Sequence, residues 1–419
     1  MASEVISARA RPLAAAAAGH PARFALFLFA GLAVVIFVWQ QASVAFIAGA
    51  PIPGHGFPDY PFFDGWVRWD SDWYIHIARL GYFYDGPGKQ SAVAYFPGYP
   101  AAMRVVMFVV RDALVAGVLV TYAAGLTTAV LFWRWSRAAL GAQAARLAVV
   151  VLLVHPFAFF LFGAVYSDAL FLAAALAAFI ALEHDRPWLA GLAGMVATAA
   201  RPVGVAVTIA LVVRALEIRG VIGGGPPAFR GTGDAAGHRT PLLPRTLALS
   251  RLRGRDAGVL LSLAGLGGYL AFLWNRFGDP LAFTRVYSAV GWARTIDVET
   301  AFKSRFFWLL RHGGFFDAAN MALTLQGFLT VLMLVLVPVV VRRLGWGYGL
   351  YALIVILMPV AGSAEFLGMG RYTLAAFPCY AVGGALLARR PPLAAVWVTL
   401  SLVGLGVMSS CFARWYLYS

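Results

Sequence analysis

The chain has 419 residues, 61% of them hydrophobic and 12% charged, and its mean hydropathy of +0.78 lies outside the range of ordinary soluble domains. A formal net charge of +15 would point to nucleic acid in a soluble protein, but in so apolar a chain it reads as arginine-rich loops facing anionic lipid, and nucleic acid is excluded as a partner. The two cysteines, Cys379 and Cys411, both fall in apolar runs and offer neither a disulfide framework nor a metal pair.

An N-terminal tail, residues 1–24, precedes a first apolar run at 25–48 that lacks a small-residue cleavage site and reads as a retained span. Further runs at 113–135, 146–165, 167–184, 257–276, 321–341, 346–363, 372–388 and 392–412 approach or exceed the roughly 18 residues of a spanning helix. Between 188 and 214, PWLAGLAGMVATAA and PVGVAVTIALVV break at Arg201-Pro202, giving two short spans or a helical hairpin. MRVVMFVV (103–110) is too short to span and belongs at the interface or within the bundle. The expected fold is therefore one all-α polytopic membrane domain over 25–412 with about 11 transmembrane helices, since lipid-facing backbone must satisfy its own hydrogen bonds. No internal repeat is evident.

Arginine bias orients this map. The tail carries Arg9, Arg11 and Arg23, the loop at 134–146 carries Arg134, Arg137 and Arg146, and the loop ending at 256 carries eight arginines against three acids. Arg342-Arg343 and Arg389-Arg390 mark two more loops. With the N-terminus cytoplasmic, all five clusters fall on one side, placing 215–256 inside and 49–112, 277–320 and the tail 413–419 outside, in a plasma (inner) membrane. Of 33 basic residues only Lys89 and Lys303 are lysines, a composition bias that looks bacterial. GTGDAAG, within 223–237, is a near miss to a phosphate-binding glycine pattern, but it follows no strand and reads as a flexible linker.

The outer face collects the unexplained polar residues. RWDSDWYIHIARLGY (68–82) is the densest cluster. Helical spacing puts Asp70, Trp73, Tyr74 and Ile77 on one face and Asp72, His76 and Arg79 on another, so the two carboxylates diverge. Asp70 reads either as a helix N-cap or as a functional carboxylate among Trp69, Trp73 and Tyr74. Asp72 reads as a partner of His76 and Arg79 or as part of the cavity. AYFPGYP (94–100) reads as a rigid turn that shapes a cavity wall. Asp168 in VYSDAL is an N-cap or a site residue. Arg201 interrupts an apolar stretch, which makes it a functional candidate by default. Arg371 either binds phosphate through its planar donors or snorkels to headgroups, paired with Glu365. RFGDPLAFTRVYSAVGW (276–292) adds Arg285 and Trp292, and Lys303 follows. No HExxH or paired-histidine pattern occurs among the seven histidines, so neither a metal nor a cofactor is expected.

These motifs together resemble the PIG-V-like mannosyltransferases, multispan glycosyltransferases of the GT-C fold. WDSDWYIHIARLGY resembles that family's signature, and AYFPGYP, YSDALF, ARPVG, GDPLAF followed by Trp292, and RYTLAAFP follow in order between about 66 and 380. Asp168 departs from the glutamate often found there. The resemblance implies a GT-C-type bundle with a large first extracytoplasmic loop. It implies inverting transfer of mannose from polyprenyl-phosphate mannose to the hydroxyl of a glycan, glycolipid or protein acceptor, with Asp70 as general base. Arg201, Arg371, Arg285 and Lys303 are the residues expected to hold the donor phosphate. Trp69, Asp72, Trp73, Tyr74, Tyr95, Tyr166, Asp168 and Trp292 are expected to wall the cavity. The alternatives are a GT-C enzyme using another polyprenyl-phosphate sugar, or a transporter or flippase of lipid-linked sugars, which predicts a symmetry between halves that is not seen.

Overall fold

The computed structural model of the chain describes residues 21–50, 60, 62–222, 226, 229, 248–290, 292, 300, 302–313 and 318–416. The GTGDAAG linker lies outside the described residues. Among the described residues the regular structure is helical throughout, and five helices are long and apolar enough to cross a membrane: Ala22–Phe46, Ala113–Leu140, Gly254–Phe277, Ala319–Leu344 and Pro391–Ala413. The chain is a multi-pass membrane protein.

Helix α1 (Pro21–Phe46) exposes most of its apolar surface and is tied to the far end of the chain. Trp39 donates its indole N–H to Gly406 O at 2.9 Å, and the Ser43 and Ser410 hydroxyls meet at 2.8 Å. Next come α2 (Ser71–Leu80), which Gly81 ends at φ 91°, and α3 (Gly98–Val110). The turn before α3 fits only because residue 98 is glycine: a Cβ there would lie 2.9 Å from the backbone of Ala199 and Ala200.

Asp112 caps α4 (Ala113–Leu140), its carboxylate accepting from Val115 N–H at 2.8 Å. Helix α5 (Ala142–Leu153) corrects the expected span at 146–165. The helix stops before His155-Pro156, because proline lacks an N–H and restricts the residue preceding it. Residues 154–167 then run through the protein interior as buried chain that is irregular apart from one 3₁₀ turn at Ala158–Leu161. Such backbone is tolerated at this depth only inside protein. Small residues of α4 make room for it; at Gly117 a Cβ would meet the Val165 side chain at 2.6 Å.

Helix α6 (Asp168–Glu183) is followed by α7 (Pro187–Ala200) and α8 (Val205–Ile218). Of the two readings of 188–214, the hairpin is the one found. Arg201 is extended, Pro202–Gly204 makes one 3₁₀ turn, and both outer ends of the pair return to the same acidic and basic cluster. In that cluster Glu183 accepts from Arg214 Nε at 2.8 Å and from the Tyr348 hydroxyl at 2.7 Å, while Arg219 bonds Asp185 and Asp256 at 2.6 Å each. The remaining helices are α9 (Leu263–Phe277), α10 (Ala282–Arg285), α11 (Ser304–His312), α12 (Ala318–Leu344), α13 (Trp346–Ala361), α14 (Met369–Ala375), α15 (Phe377–Leu387) and α16 (Pro391–Ala413). Several expected spans are thus short apolar helices of 10–17 residues, partly buried against their neighbours.

Candidate active site

At the end of the bundle opposite the Glu183–Arg214 cluster, the segment of residues 62–112 folds over the starts of α6, α8 and α14. Its anchor is Arg68, whose guanidinium is 1% exposed and reaches Asp64 Oδ2 at 2.9 Å and the carbonyl of Ala413 at 2.9 Å. Sequence reading had no role for this arginine. It fastens the loop to the last helix and so brings Trp69 against Trp415, edge to face at 4.9 Å. Both tryptophans sit in left-handed backbone, at φ 54° and 67°. Bulky residues are rarely held in that region away from functional sites.

Trp69, Asp70, Asp72, Trp73, Tyr74, Tyr95, Trp292, Arg201 and Arg371 line one cavity of about 550 Å³. Tyr372 and Trp415 line it too. Tyr372 adjoins Arg371 in the RYTLAAFP motif and was legible there, whereas Trp415 carries no sequence signal beyond following the last span. The structure therefore gathers residues from five separated segments, spanning 69–96, 200–202, 287–292, 367–372 and 415.

Asp70 is the centre of this arrangement. It precedes α2, but its side chain makes no capping bond, so the N-cap reading is corrected. The Tyr95 hydroxyl donates to Oδ1 at 2.9 Å, and Arg371 Nη1 lies 2.9 Å from Oδ2. Burial and the adjacent carboxylate push Tyr95 well above its usual pKa, so its hydroxyl stays a donor. Burial, with the Asp70 charge, likewise pushes Tyr74 up to about 12. Behind the carboxylate, the Tyr166 hydroxyl donates to Arg68 O at 3.0 Å and accepts from Asp70 N–H at 3.2 Å. Tyr166 thus fixes the backbone at Asp70 from outside the cavity lining.

Arg371 is not paired with Glu365, which lies against Arg305 at 3.1 Å instead. Its guanidinium sits 5.1 Å from the Tyr166 ring centre and 5.6 Å from that of Tyr372. Its Nε–H is buried with no acceptor among the described residues. Arg201 forms an ion pair with Asp168 and lies 4.4 Å from the Tyr372 ring centre. Asp168 is the first residue of α6, not its cap, and its second carboxylate oxygen is buried without a donor among the described residues. Asp168 is not part of the cavity lining, held behind Arg201 instead, whereas Arg371 is, and a buried unpaired donor on a cavity wall is costly unless a ligand engages it.

The aromatic wall is continuous. Trp73 stacks on Tyr95 at 5.6 Å and 13°, and Trp292 meets both rings edge-on, at 5.5 and 5.9 Å. Asp72 lines the cavity from the next position and lies close enough to influence Arg68. The structure does not bring Arg285 and Lys303 to this lining. Arg285, exposed at the end of α10, pairs with Asp279 at 2.7 Å, and the Lys303 ammonium donates to the carbonyls of Val360 and Ser363.

Residues 60–218 match the family model described as Mannosyltransferase (PIG-V). That stretch contains WDSDWY, AYFPGYP, YSDALF and ARPVG, so the resemblance carried by those motifs is borne out there; GDPLAF and RYTLAAFP lie beyond it. No curated protein matches the chain. Among solved structures the chain is similar to ArnT from Cupriavidus metallidurans bound to undecaprenyl phosphate, at 15% identity and TM-score 0.49, covering 92% of this chain and 77% of that one. It is also similar to the oligosaccharyltransferase of Archaeoglobus fulgidus in complex with Zn and sulfate, at 12% identity and TM-score 0.44, covering 93% and 53% respectively. A structure of the archaeal enzyme AglB with an inhibitory peptide and a dolichol-phosphate gives 11% and 0.45, covering 94% and 56%. The chain thus spans about half the length of the archaeal oligosaccharyltransferases.

Proposed function

Starting from the match of residues 60–218 to the PIG-V mannosyltransferases, we propose that this chain is a GT-C glycosyltransferase that moves mannose from a polyprenyl-phosphate donor to an acceptor hydroxyl at the extracytoplasmic face, with inversion. The observation that carries the reading is Asp70: a carboxylate held between a tyrosine hydroxyl and an arginine at the wall of a cavity that a second arginine also lines.

In this reading Asp70 takes the proton of the acceptor hydroxyl as that oxygen bonds the mannose anomeric carbon and the bond to phosphate breaks. The departing phosphate gains negative charge, which Arg371 and Arg201 are placed to meet. Arg371 has a planar fork of donors and spends only part of it on Asp70, leaving the buried Nε–H for a phosphate oxygen. When Arg371 turns toward phosphate, Asp70 loses a stabilising cation and becomes a better base, so donor binding and base activation are linked. Tyr95 keeps the carboxylate aimed while this happens. The aromatic wall offers flat faces for sugar rings, and the prenyl chain stays in lipid. Arg285 and Lys303, engaged elsewhere, have no part in this account.

The extracytoplasmic reading is supported by the arginine-rich loops, since the cavity lies at the end of the bundle opposite Arg214 and Arg219. The test is transfer of radiolabelled mannose from polyprenyl-phosphate mannose by the purified protein in proteoliposomes. Transfer that requires the mannose donor and an acceptor glycan, glycolipid or peptide supports the reading. Vectorial movement of the lipid-linked sugar without transfer would support the flippase alternative instead.

A further inference from the structure

A second cavity of about 550 Å³ lies behind the first, between the end of α2, α3 and α9. Its walls are apolar, including Ile77, Leu80, Pro100 and Phe272, and no acidic residue lines it among the described residues. Two arginines do. Arg104 donates from Nε and Nη2 to the carbonyls of Ala78 and Ile77 at 3.0 and 2.9 Å, leaving Nη1 without a partner among the described residues. Arg276, at the end of α9, makes no hydrogen bond or ion pair among the described residues.

The surface around this groove is exposed and apolar. Phe108 and Val109 on α3 are 86% and 83% exposed, and Trp274, two residues before Arg276, is 65% exposed. A tryptophan and an arginine in the last turn of one helix are the residue types that mark the headgroup level of a bilayer. The floor is open at Gly268, where a Cβ would meet nothing within 4 Å, although the neighbouring Gly265 is tightly packed against Met195 and Thr198. An apolar channel that begins at two uncompensated guanidinium groups and continues inward from the headgroup level matches a phosphate followed by a hydrocarbon chain.

We propose that this groove binds one anionic bilayer phospholipid, its phosphate between Arg104 and Arg276 and one acyl chain along Gly268. This does not depend on the transferase reading. It does bear on the site, because the groove and the catalytic cavity share a wall. Tyr82 and Tyr269 line the groove, and their hydroxyls donate to Tyr95 O at 2.8 Å and Val93 O at 2.7 Å. A bound chain would press on these two rings and steady the turn that carries Tyr95 toward Asp70.

The test is native mass spectrometry of the full-length protein released from micelles containing equal phosphatidylglycerol and phosphatidylcholine. One phosphatidylglycerol per chain should be retained, favoured roughly tenfold over phosphatidylcholine. Arg276→Gln, which breaks no hydrogen bond or ion pair among the described residues, should remove that preference, and Gly268→Phe, which puts a ring into the channel at a position where a Cβ would meet nothing within 4 Å, should remove retention altogether. Equal retention of the two lipids, or retention unchanged in both variants, would overturn the proposal. So would retention of added polyprenyl phosphate in place of phosphatidylglycerol.

Discussion

Replacing Asp70 by Asn keeps the size and planarity of the side chain and removes its charge and basicity. An amide oxygen still accepts from Tyr95, so the aim of the group survives. What is lost is proton removal from the acceptor, and a positioned general base contributes about 10²–10⁴-fold. The expected fall in kcat is of that order, equivalent to about 3–5 kcal/mol of transition-state stabilisation. The ion pair with Arg371 predicts a second, opposite effect. Arg371 is 5% exposed and its only carboxylate contact among the described residues is Asp70, so losing that contact frees the guanidinium for donor phosphate. The donor KM should therefore stay level or fall while kcat collapses. The faces of Tyr166 and Tyr372 continue to hold the arginine, so the variant should accumulate in membranes at wild-type amounts. The assay is mannosyl transfer in proteoliposomes with donor and acceptor varied separately. Transfer within threefold of wild type, or a loss expressed wholly as a raised donor KM, would refute the assignment of Asp70 as base.

Arg201→Ala should weaken donor use more than acceptor use, raising the donor KM by roughly tenfold or more and leaving the acceptor KM level; equal effects on both would count against a phosphate role. Asp72→Asn should be milder than Asp70→Asn, and the reverse ranking of kcat values would exchange the two roles. Tyr95→Phe removes one hydrogen bond to a charged group, worth about 1.5–3 kcal/mol, and should lower kcat at least tenfold without changing the amount of protein in the membrane. Glu183→Ala leaves Arg214 buried without its main partner, a change that costs about 3–5 kcal/mol, and should lower the melting temperature in detergent while leaving the donor KM of the surviving protein unaltered.

Much of this arrangement was readable from residue order. Long apolar runs announced the membrane, and Arg201-Pro202 announced a break whose polarity had to be answered inside the bundle. The clustering of Asp70 with tryptophans and tyrosine pointed to the cavity, whereas the divergence from Asp72 expected of helical spacing is not what is found, since Asp70 precedes the helix and both residues line the cavity. What the sequence could not carry was the partner of each charge. Arg371 and Asp70 lie 301 positions apart, and nothing local distinguishes an arginine that snorkels from one that pairs across the fold. Arg285 and Lys303 share a basic, aromatic context with the site arginines, yet nearer partners, Asp279 and two carbonyls, claimed them. The irregular stretch after His155-Pro156 was hidden by composition, because a buried segment and a spanning helix are equally apolar.

The two ends of α6 are each closed by a buried ion pair to the same neighbouring hairpin: Asp168 to Arg201 at one end, Glu183 to Arg214 at the other. Fifteen residues of helix separate the two acids, roughly 22 Å. A rod bolted at both ends can neither slide nor turn against its neighbour without breaking both fastenings at once. Axial slippage of α6 against the hairpin is therefore closed to this protein, and whatever moves during a reaction cycle has to move elsewhere.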